Sequence, residues 1–353
     1  MRILVGLSGG IDSAIAALLL KNMGHEVVGA TMSIWRDGNP LAKVVKREAC
    51  FGPNEEKDIE EARRISHLLG IEYHLLDCAQ EYEAIVLENF KSEYLAGRTP
   101  NPCVWCNSFI KFGALPKIAR EQGIAFDKFA TGHYARVVEE GGRFLLKTAA
   151  DNHKDQTYFL YRLNQEQLSQ LILPLGEMEK SEVRRLTLEH NLFGEEKGES
   201  QDFYSGDYSD LLLTPPQSGE IVTQEGKVVG THKGYWNYTI GQRRGLGVAS
   251  ERPLYVVALD AHNNRVIVGN MEETFKDAFK ADQLNWIAFE SLKEPIEASA
   301  KIRSTSQARS VLISPLSTSE VEVKFAEPQM AITPGQSVVF YQDDVVLGGG
   351  VIC

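Results

Sequence analysis

The chain has 353 residues, 43% of them hydrophobic and 24% charged, with a net charge of −11. This is the composition of a globular protein of two or three domains, and it excludes a disordered or fibrous chain. The apolar run Ala14–Leu20 is far shorter than the roughly 20 residues that a membrane-spanning helix needs. The N-terminus also lacks the pattern of a signal peptide. We therefore predict a cytoplasmic protein with no membrane partner.

The N-terminal part alternates short apolar runs with helical periodicity. The pattern predicts strands at 3–7, 27–32, 72–76 and 128–131, and helices at 12–22, 58–69 and 82–94. A βαβα order is typical of a parallel sheet with helices on both faces. Right-handed crossovers then predict an α/β, doubly wound fold.

A glycine-rich loop lies between the first predicted strand and the first predicted helix. It reads Ser8-Gly9-Gly10-Ile11-Asp12-Ser13. Glycines let the backbone approach an anion, and the start of a helix supplies unpaired N–H groups and a positive dipole end. The two serines add hydroxyl donors, and we assign Asp12 to a Mg²⁺ ion that bridges phosphates. The loop therefore predicts a nucleotide-phosphate site, in preference to a simple helix cap.

The five cysteines are Cys50, Cys78, Cys103, Cys106 and Cys353. An odd number without a secretion signal argues against a disulfide framework. Cys103 and Cys106 form a CxxC motif in a proline-rich loop, which by itself admits a redox pair, a metal site or an accident.

The second half of the chain has a different pattern. After Pro215-Pro216, strand-like pieces and glycine turns dominate, and the pattern is almost wholly β from residue 276 onward. We predict three domains: 1–205, a small central domain at 206–275, and a C-terminal β-barrel at 276–353. No helix follows Gly348–Gly350, so this run is predicted to be a tight turn or a bulge. Residues 225–309 carry a small excess of Lys and Arg in an acidic chain, which favours a face that binds nucleic acid.

Taken in order, these motifs resemble the bacterial tRNA-specific 2-thiouridylases over essentially the whole chain. The segments that carry the resemblance are 8–13, 97–107, 110–112, 130–134, 154–160, 238–246, 334–337 and 347–350. The resemblance implies an N-type ATP pyrophosphatase domain of the adenine nucleotide alpha hydrolase-like fold. It further implies an enzyme that uses ATP to adenylate the wobble uridine of a tRNA and then inserts sulfur. The sulfur donor would be sulfide, or persulfide from a desulfurase or a relay protein.

The resemblance also assigns residues to the site. ATP contacts are implied for Gly6, Leu7, Ser8, Gly9, Gly10, Ile11, Asp12, Ser13, Met32 and Gly132. Contacts with tRNA are implied for Asn101, Pro102, Cys103, His133, Lys154, Asp155, Gln156, Arg303 and Gln336. The predicted catalytic residues are Cys106, Cys103 and Asp12.

Two positions depart from the family pattern. The family usually has aspartate where this chain has Cys103, and a second cysteine where this chain has Tyr204. We therefore predict a different sulfur carrier, in which Cys50, Cys103 and Cys106 hold a 4Fe–4S cluster whose open iron binds hydrosulfide. Two alternatives remain: a persulfide formed by Cys103 and Cys106, one of them as the resolving thiol, and a zinc site on the same three cysteines and a fourth ligand.

Two other functions compete with thiolation. An amidating ligase of small molecules would also adenylate its substrate, but the C-terminal β domain and the segment 154–156 argue against it. A non-catalytic RNA-binding or sulfur-carrying homologue is the second rival, because of Tyr204. The intact loop from Ser8 to Ser13 argues against that loss of catalysis.

Overall fold

The computed structural model describes residues 1–36, 50–52, 55–193, 203–204, 206 and 208–353. The chain divides into two units, each of which is described by itself. The first comprises Met1–Val86, Pro102–Gly206 and Asp343–Leu347, and the second comprises Leu87–Asn101, Asp207–Gln342 and Gly348–Cys353. In the part of the chain described, no helix has the length and apolar character needed to cross a membrane.

The strands are, in chain order, β1 Arg2–Gly6, β2 Glu26–Ser33, β3 Glu72–Asp77, β4 Lys128–Ala130, β5 Arg136–Glu140, β6 Arg143–Lys147, β7 Leu171–Ile172, β8 Gly219–Thr223, β9 Val228–His232, β10 Tyr255–Asp260, β11 Arg265–Gly269, β12 Phe275–Trp286, β13 Ile296–Lys301, β14 Arg309–Pro315, β15 Val321–Met330, β16 Ser337–Gln342 and β17 Val345–Ile352. The α-helices are α1 Ile11–Asn22, α2 Glu55–Leu69, α3 Ala79–Tyr82, α4 Glu88–Leu95, α5 Pro102–Trp105, α6 Leu115–Glu121, α7 Gln165–Ser169, α8 Lys180–Glu189 and α9 Tyr208–Leu212. Two segments, Glu83–Leu87 and Cys106–Ala114, are π-helical.

The first unit is built on a parallel sheet with strand order β3-β2-β1-β4-β7. Its centre is apolar: Ile3, Val5 and Ala130 of the sheet and Ile15 of α1 are fully buried. From β1 the chain adds β2 and β3 on one side of the sheet and then β4 and β7 on the other, so the strand order switches sides between β1 and β4, which pair directly. Ligands of open α/β sheets bind beyond the carboxyl ends of the strands at such a switch point. The predicted α/β class is confirmed, and the sheet places the loops after Gly6 and Ala130 side by side.

The helix predicted at 82–94 is interrupted. It is observed as α3, the π-helical segment Glu83–Leu87 and α4. A π-helical turn accommodates an extra residue without ending the helix, so the apolar period alone does not reveal it. Such segments are frequent at functional sites.

The second unit contains two sheets. The central sheet has the order β10-β11-β8-β9. The C-terminal strands follow the order β12-β15-β14-β13-β16-β17, and β12 also pairs with β17, which closes a six-stranded barrel. In β15, Val321, Val323 and Phe325 face the barrel core while the residues between them are exposed. This period-two burial is typical of a barrel wall, and the predicted C-terminal barrel is confirmed.

Of the two structures predicted for Gly348–Gly350, the tight turn is wrong, because the run lies inside β17, and a bulge is found on β12, the strand that pairs with it. The irregularity is on β12, whose register with β17 shifts between Asp282 and Asn285. A Cβ at Gly348 would lie 2.3 Å from the carbonyl oxygen of Asn285, and one at Gly350 would lie 2.6 Å from that of Asp282. These glycines allow the two backbones to approach across a bulge.

Candidate active site

The glycine-rich loop joins β1 to α1. Gly9 has φ +70°, and a Cβ there would lie 2.4 Å from the carbonyl oxygen of Asp58. Gly10 is the N-cap of α1 and makes no side-chain cap hydrogen bond; the N–H groups in the first turn of a helix have no partner within the helix. The hydroxyl of Ser13 donates to the carbonyl of Gly10 (3.0 Å) and accepts from the backbone N–H of Ser8 (3.2 Å). The loop is thus braced from within and presents backbone donors, as a phosphate site requires.

Replacing Gly9 with alanine is expected to destabilise the protein by about 3 kcal/mol, because both a left-handed backbone and a backbone contact oppose the new Cβ. Gly24→Ala is the matched control. Gly24 also has a positive φ, of +82°, but no described heavy atom lies within 4 Å of its Cβ position. We expect that variant to lose only about 1 kcal/mol. Urea unfolding compares the two, and equal losses would contradict the steric argument.

Asp12 lies in the first turn of α1 and is bound by a buried lysine. The Lys180 ammonium lies 2.6 and 2.9 Å from the two carboxylate oxygens of Asp12, and the Tyr134 hydroxyl donates to the first of them (3.0 Å). The Lys180 side chain is only 8% exposed, whereas that of Asp12 is 32% exposed. This arrangement fixes an ion pair at the end of the glycine loop.

The loop after β4 packs against the same turn of α1. A Cβ at Gly132 would lie 2.4 Å from the carbonyl carbon of Asp12, so only glycine fits there. The buried His133 ring places Nδ1 2.8 Å from the Thr131 hydroxyl, and its centroid lies 5.4 Å from that of Phe112. Burial, followed by the charge of Lys111, lowers the His133 pKa well below its usual value, so the ring is neutral near pH 7.

The CxxC motif begins a helical segment rather than a loop. Cys103 lies in α5, and Cys106 begins the π-helical segment that ends at Ala114. Phe112 of that segment contacts His133. The thiol-bearing helix therefore packs against the loop after β4, at the edge of the sheet where the glycine loop lies.

Comparison with known proteins identifies the family. A model described as "tRNA methyl transferase HUP domain" matches residues 1–204, "tRNA methyl transferase PRC-barrel domain" matches 212–270, and "Aminomethyltransferase beta-barrel domain" matches 276–352. The protein "tRNA-specific 2-thiouridylase MnmA" of Endomicrobium trichonymphae is 49% identical over 356 residues, which cover 100% of this chain and 99% of that protein. This chain belongs to the tRNA-specific 2-thiouridylase family. A protein of the same name from Acetivibrio thermocellus is 41% identical over 99% of both chains.

The segment that the 2-thiouridylase resemblance assigns to tRNA has a bracing role as well. The Asp155 carboxylate accepts from the backbone N–H of Ala149 (3.2 Å) and from the Thr157 hydroxyl (2.7 Å). The Gln156 side chain accepts from the backbone N–H of Tyr134 (2.9 Å). Residues 154–156 are half-buried. Gln156 thus holds the backbone of the tyrosine that contacts Asp12.

The other predicted contact residues are spread over both units. Met32 is half-buried near the end of β2, where it pairs with Leu76 of β3. Asn101 is the last residue of a stretch that belongs to the second unit. In the barrel unit, the Arg303 guanidinium donates to the carbonyl of Ala331 (2.7 Å). The Gln336 side chain donates hydrogen bonds to two backbone carbonyls of the same unit. None of these residues is shown in contact with RNA, and their assignments stay predictions.

The two cysteines of the CxxC motif and the distant Cys50 lie around one tyrosine, Tyr82. Burial raises the pKa of Tyr82 well above its usual value, and the charges of Cys106, Cys103 and Cys50 raise it further. All five cysteines are described, and none forms a disulfide. Among the described residues, however, no group of three or more His, Cys, Asp or Glu side chains has an arrangement that holds a metal ion. The predicted cluster and the zinc alternative therefore gain no support from the geometry.

The position of Cys50 is set by the aromatic residue after it. The Phe51 N–H donates to the carbonyl of Phe203 (3.0 Å), and the Phe51 ring lies 5.2 Å from that of Tyr82 and 6.5 Å from that of Tyr204. Position 204, where the family usually has its second cysteine, thus adjoins the residue that follows Cys50. The neighbouring Ser200, Gln201 and Asp202 lie outside the described residues.

Lys180, which binds Asp12 at the candidate site, was not among the residues predicted from the sequence. It is the first residue of α8. A lysine at that position is opposed by the positive end of the helix dipole, and it is buried here. Tyr134 was named only as part of the motif after β4, without a role.

The reactivity of Cys106 is expected to depend steeply on pH. Burial raises its pKa to about 11, and the nearby Lys111 charge opposes that rise. Because the thiolate is the reactive form, alkylation of Cys106 should quicken about tenfold per pH unit from pH 8 to 10. Lys111→Met removes the opposing charge and should slow alkylation roughly threefold at pH 8. Peptide mass spectrometry measures both rates, and an unchanged rate in Lys111→Met, with Lys117→Met as control, would contradict this account.

Proposed function

We propose that this chain is an ATP-dependent tRNA 2-thiouridylase. It activates a wobble uridine of tRNA as an adenylate and replaces the carbonyl oxygen at C2 with sulfur. The observation that carries this proposal is the position of the glycine loop, with its Asp12–Lys180 pair, at the sheet edge where the helix bearing Cys103 and Cys106 packs. Adenylation and sulfur transfer act on the same uridine. That base must therefore reach both the glycine loop and the two thiols from one position. The names of the relatives support the same reaction.

In the first step the uridine oxygen attacks the α-phosphorus of ATP and pyrophosphate leaves. The backbone N–H groups at the start of α1 bind phosphate oxygens, and the Lys180 ammonium stabilises the charge that moves onto the leaving group. Asp12 and the hydroxyls of Ser8 and Ser13 are hard oxygen ligands, which fit Mg²⁺ when it is supplied together with phosphates. Such an ion would neutralise phosphate charge. The proposed role of Asp12 is therefore to orient both the cation and Lys180.

In the second step a sulfur nucleophile attacks C2, the C–S bond forms, and the bond from C2 to the adenylate oxygen breaks to release AMP. We assign sulfur delivery to a persulfide on Cys106, whose outer sulfur attacks. Cys103 then attacks the inner sulfur, leaving a Cys103–Cys106 disulfide and the thiocarbonyl on the base. A persulfide donor and an external dithiol reductant complete the cycle. No step is derived through a cluster, because the described cysteines do not form a metal-holding group.

Nucleoside mass spectrometry after incubation with tRNA, ATP, Mg²⁺ and a persulfide donor tests the proposal. We expect 2-thiouridine to form, with AMP release that depends on tRNA. AMP formation without tRNA would favour the small-molecule ligase instead, and no AMP in wild type or Asp12→Ala would favour the non-catalytic homologue. Iron and sulfide analysis after anaerobic reconstitution accompanies the assay. Activity that requires about four irons per chain would replace the persulfide route with the cluster.

Three further predictions belong to this proposal. The domain limits 1–205, 206–275 and 276–353 remain our proposed division. The tRNA contacts that the resemblance assigns remain part of this proposal, with the base binding near Asn101–Cys103. A tRNA substrate also favours the predicted cytoplasmic location.

A further inference from the structure

Within the second unit, the short stretch before the cysteine helix is bound through its backbone to the loop that precedes β16. The Thr99 N–H donates to the carbonyl of Pro334 (2.8 Å). The Gln336 side-chain amide nitrogen donates to the carbonyl oxygens of Thr99 (3.0 Å) and Pro100 (2.9 Å). An amide NH₂ carries two hydrogens, one for each carbonyl. Gln336 therefore satisfies two consecutive carbonyls in a stretch where Pro100 and Pro102 offer no N–H of their own.

The segment of the barrel unit that makes these contacts is itself fixed. Gln336 donates its N–H to Thr333 (3.2 Å), and its carbonyl accepts from the N–H of Ile352 (2.9 Å). Gly335 has φ +88°, and a Cβ there would lie 2.9 Å from both the nitrogen and the oxygen of Thr99. The backbone segments at Gly335 and Thr99 thus approach each other at a distance that only glycine allows.

The other end of the stretch is also anchored within the second unit. The Arg98 guanidinium makes two hydrogen bonds to the carboxylate of Glu93, at 2.7 and 2.5 Å, and Glu93 is 7% exposed. The Tyr235 hydroxyl donates to the carbonyl of Leu95 (2.6 Å). The backbone from Glu93 to Pro100 is held at several points before it continues through Asn101 into α5.

We infer that Gln336 is a positioning residue for sulfur transfer: by fixing the Thr99 and Pro100 carbonyls, it sets where the helix bearing Cys103 and Cys106 begins. This inference rests on the proposed function for its catalytic consequence. The resemblance assigns Gln336 an RNA contact; the contacts seen here give it a role that exists without RNA.

The test compares Gln336→Glu, which keeps the shape but removes both donors, with Gln224→Glu, an exposed turn residue that undergoes the same change of charge. Gln336→Met, which lacks the added charge, guards against a folding defect. Without RNA or ATP, we expect both Gln336 variants to alkylate Cys106 about tenfold faster, because two hydrogen bonds that oppose local opening are lost. At saturating tRNA, kcat for thiolation should fall about tenfold, with a smaller change in tRNA affinity.

Two results would overturn the inference. One is wild-type alkylation and kcat in both Gln336 variants with a weaker tRNA affinity, which would make Gln336 an RNA contact only. The other is an equal effect in Gln224→Glu. Failure of the proposed function would look different: the wild-type protein would make no 2-thiouridine, while the alkylation difference, measured without substrates, would persist.

Discussion

Cys106→Ser is expected to lower 2-thiouridine formation by at least about 10³-fold while sparing adenylation. A serine hydroxyl cannot carry a sulfane sulfur, so the second step stops. The glycine loop and Lys180 are untouched, and a single burst of pyrophosphate that depends on tRNA should remain. Nucleoside mass spectrometry and a rapid-quench pyrophosphate assay measure the two steps separately.

Cys353→Ser is the matched control for that variant. Cys353 is the exposed last residue, outside the thiol group around Tyr82, and its replacement should leave both steps at wild-type rates. If Cys106→Ser still formed 2-thiouridine at the wild-type rate, the sulfur would have to arrive by a route that bypasses this thiol. Loss of the pyrophosphate burst as well would mean that Cys106 supports activation.

Lys180→Met is expected to slow pyrophosphate release by about 10²- to 10³-fold, because a preorganised charge beside the leaving phosphates is removed. Lys117→Met is the control, since Lys117 is 75% exposed and forms only a long contact with Glu121 (3.8 Å). Quenched-flow measurement of pyrophosphate at saturating ATP and tRNA gives the rates.

The double variant Asp12→Asn/Lys180→Met separates two roles of the lysine. If Lys180 only neutralises Asp12, removing both charges should restore much of the rate. If Lys180 acts on the phosphates, the double variant should be at least as slow as Lys180→Met, because the proposed cation contact of Asp12 is lost as well. Recovery to the wild-type rate would contradict a direct role in activation.

The sequence predicted the fold well where local pattern and topology agree. The buried run before Ser8, the glycines and the helical period after Asp12 each indicate a strand, a turn and a helix in the observed order. Parallel β1 and β4 then bring the loops carrying Gly9 and Gly132 together, because strands that pair in parallel share an edge. Residues near strand ends were therefore the most predictable part of the candidate site.

The rest depended on contacts between residues far apart in the chain. Lys180 and Asp12 are 168 positions apart, and no periodicity connects them. The CxxC motif was predicted to lie in a loop because Pro100 and Pro102 precede it, yet Pro102 is the first residue of α5, a position at which proline fits a helix. Cys50, Cys103 and Cys106 were predicted to come together, but a metal-binding arrangement requires side-chain directions that a sequence does not specify.

The stretch from Leu87 to Asn101 gives the molecule an unusual dependence on its full length. A chain shortened after residue 206 would retain the glycine loop and the three cysteines near Tyr82. It would lose Pro334, Gln336 and Tyr235 as partners of that stretch. The backbone carbonyls of the stretch would then hydrogen-bond to water, and the first residues of α5 would lose their fixed position. Separate expression of the N-terminal region should therefore yield a protein that still binds ATP yet handles sulfur poorly, whatever RNA it is offered.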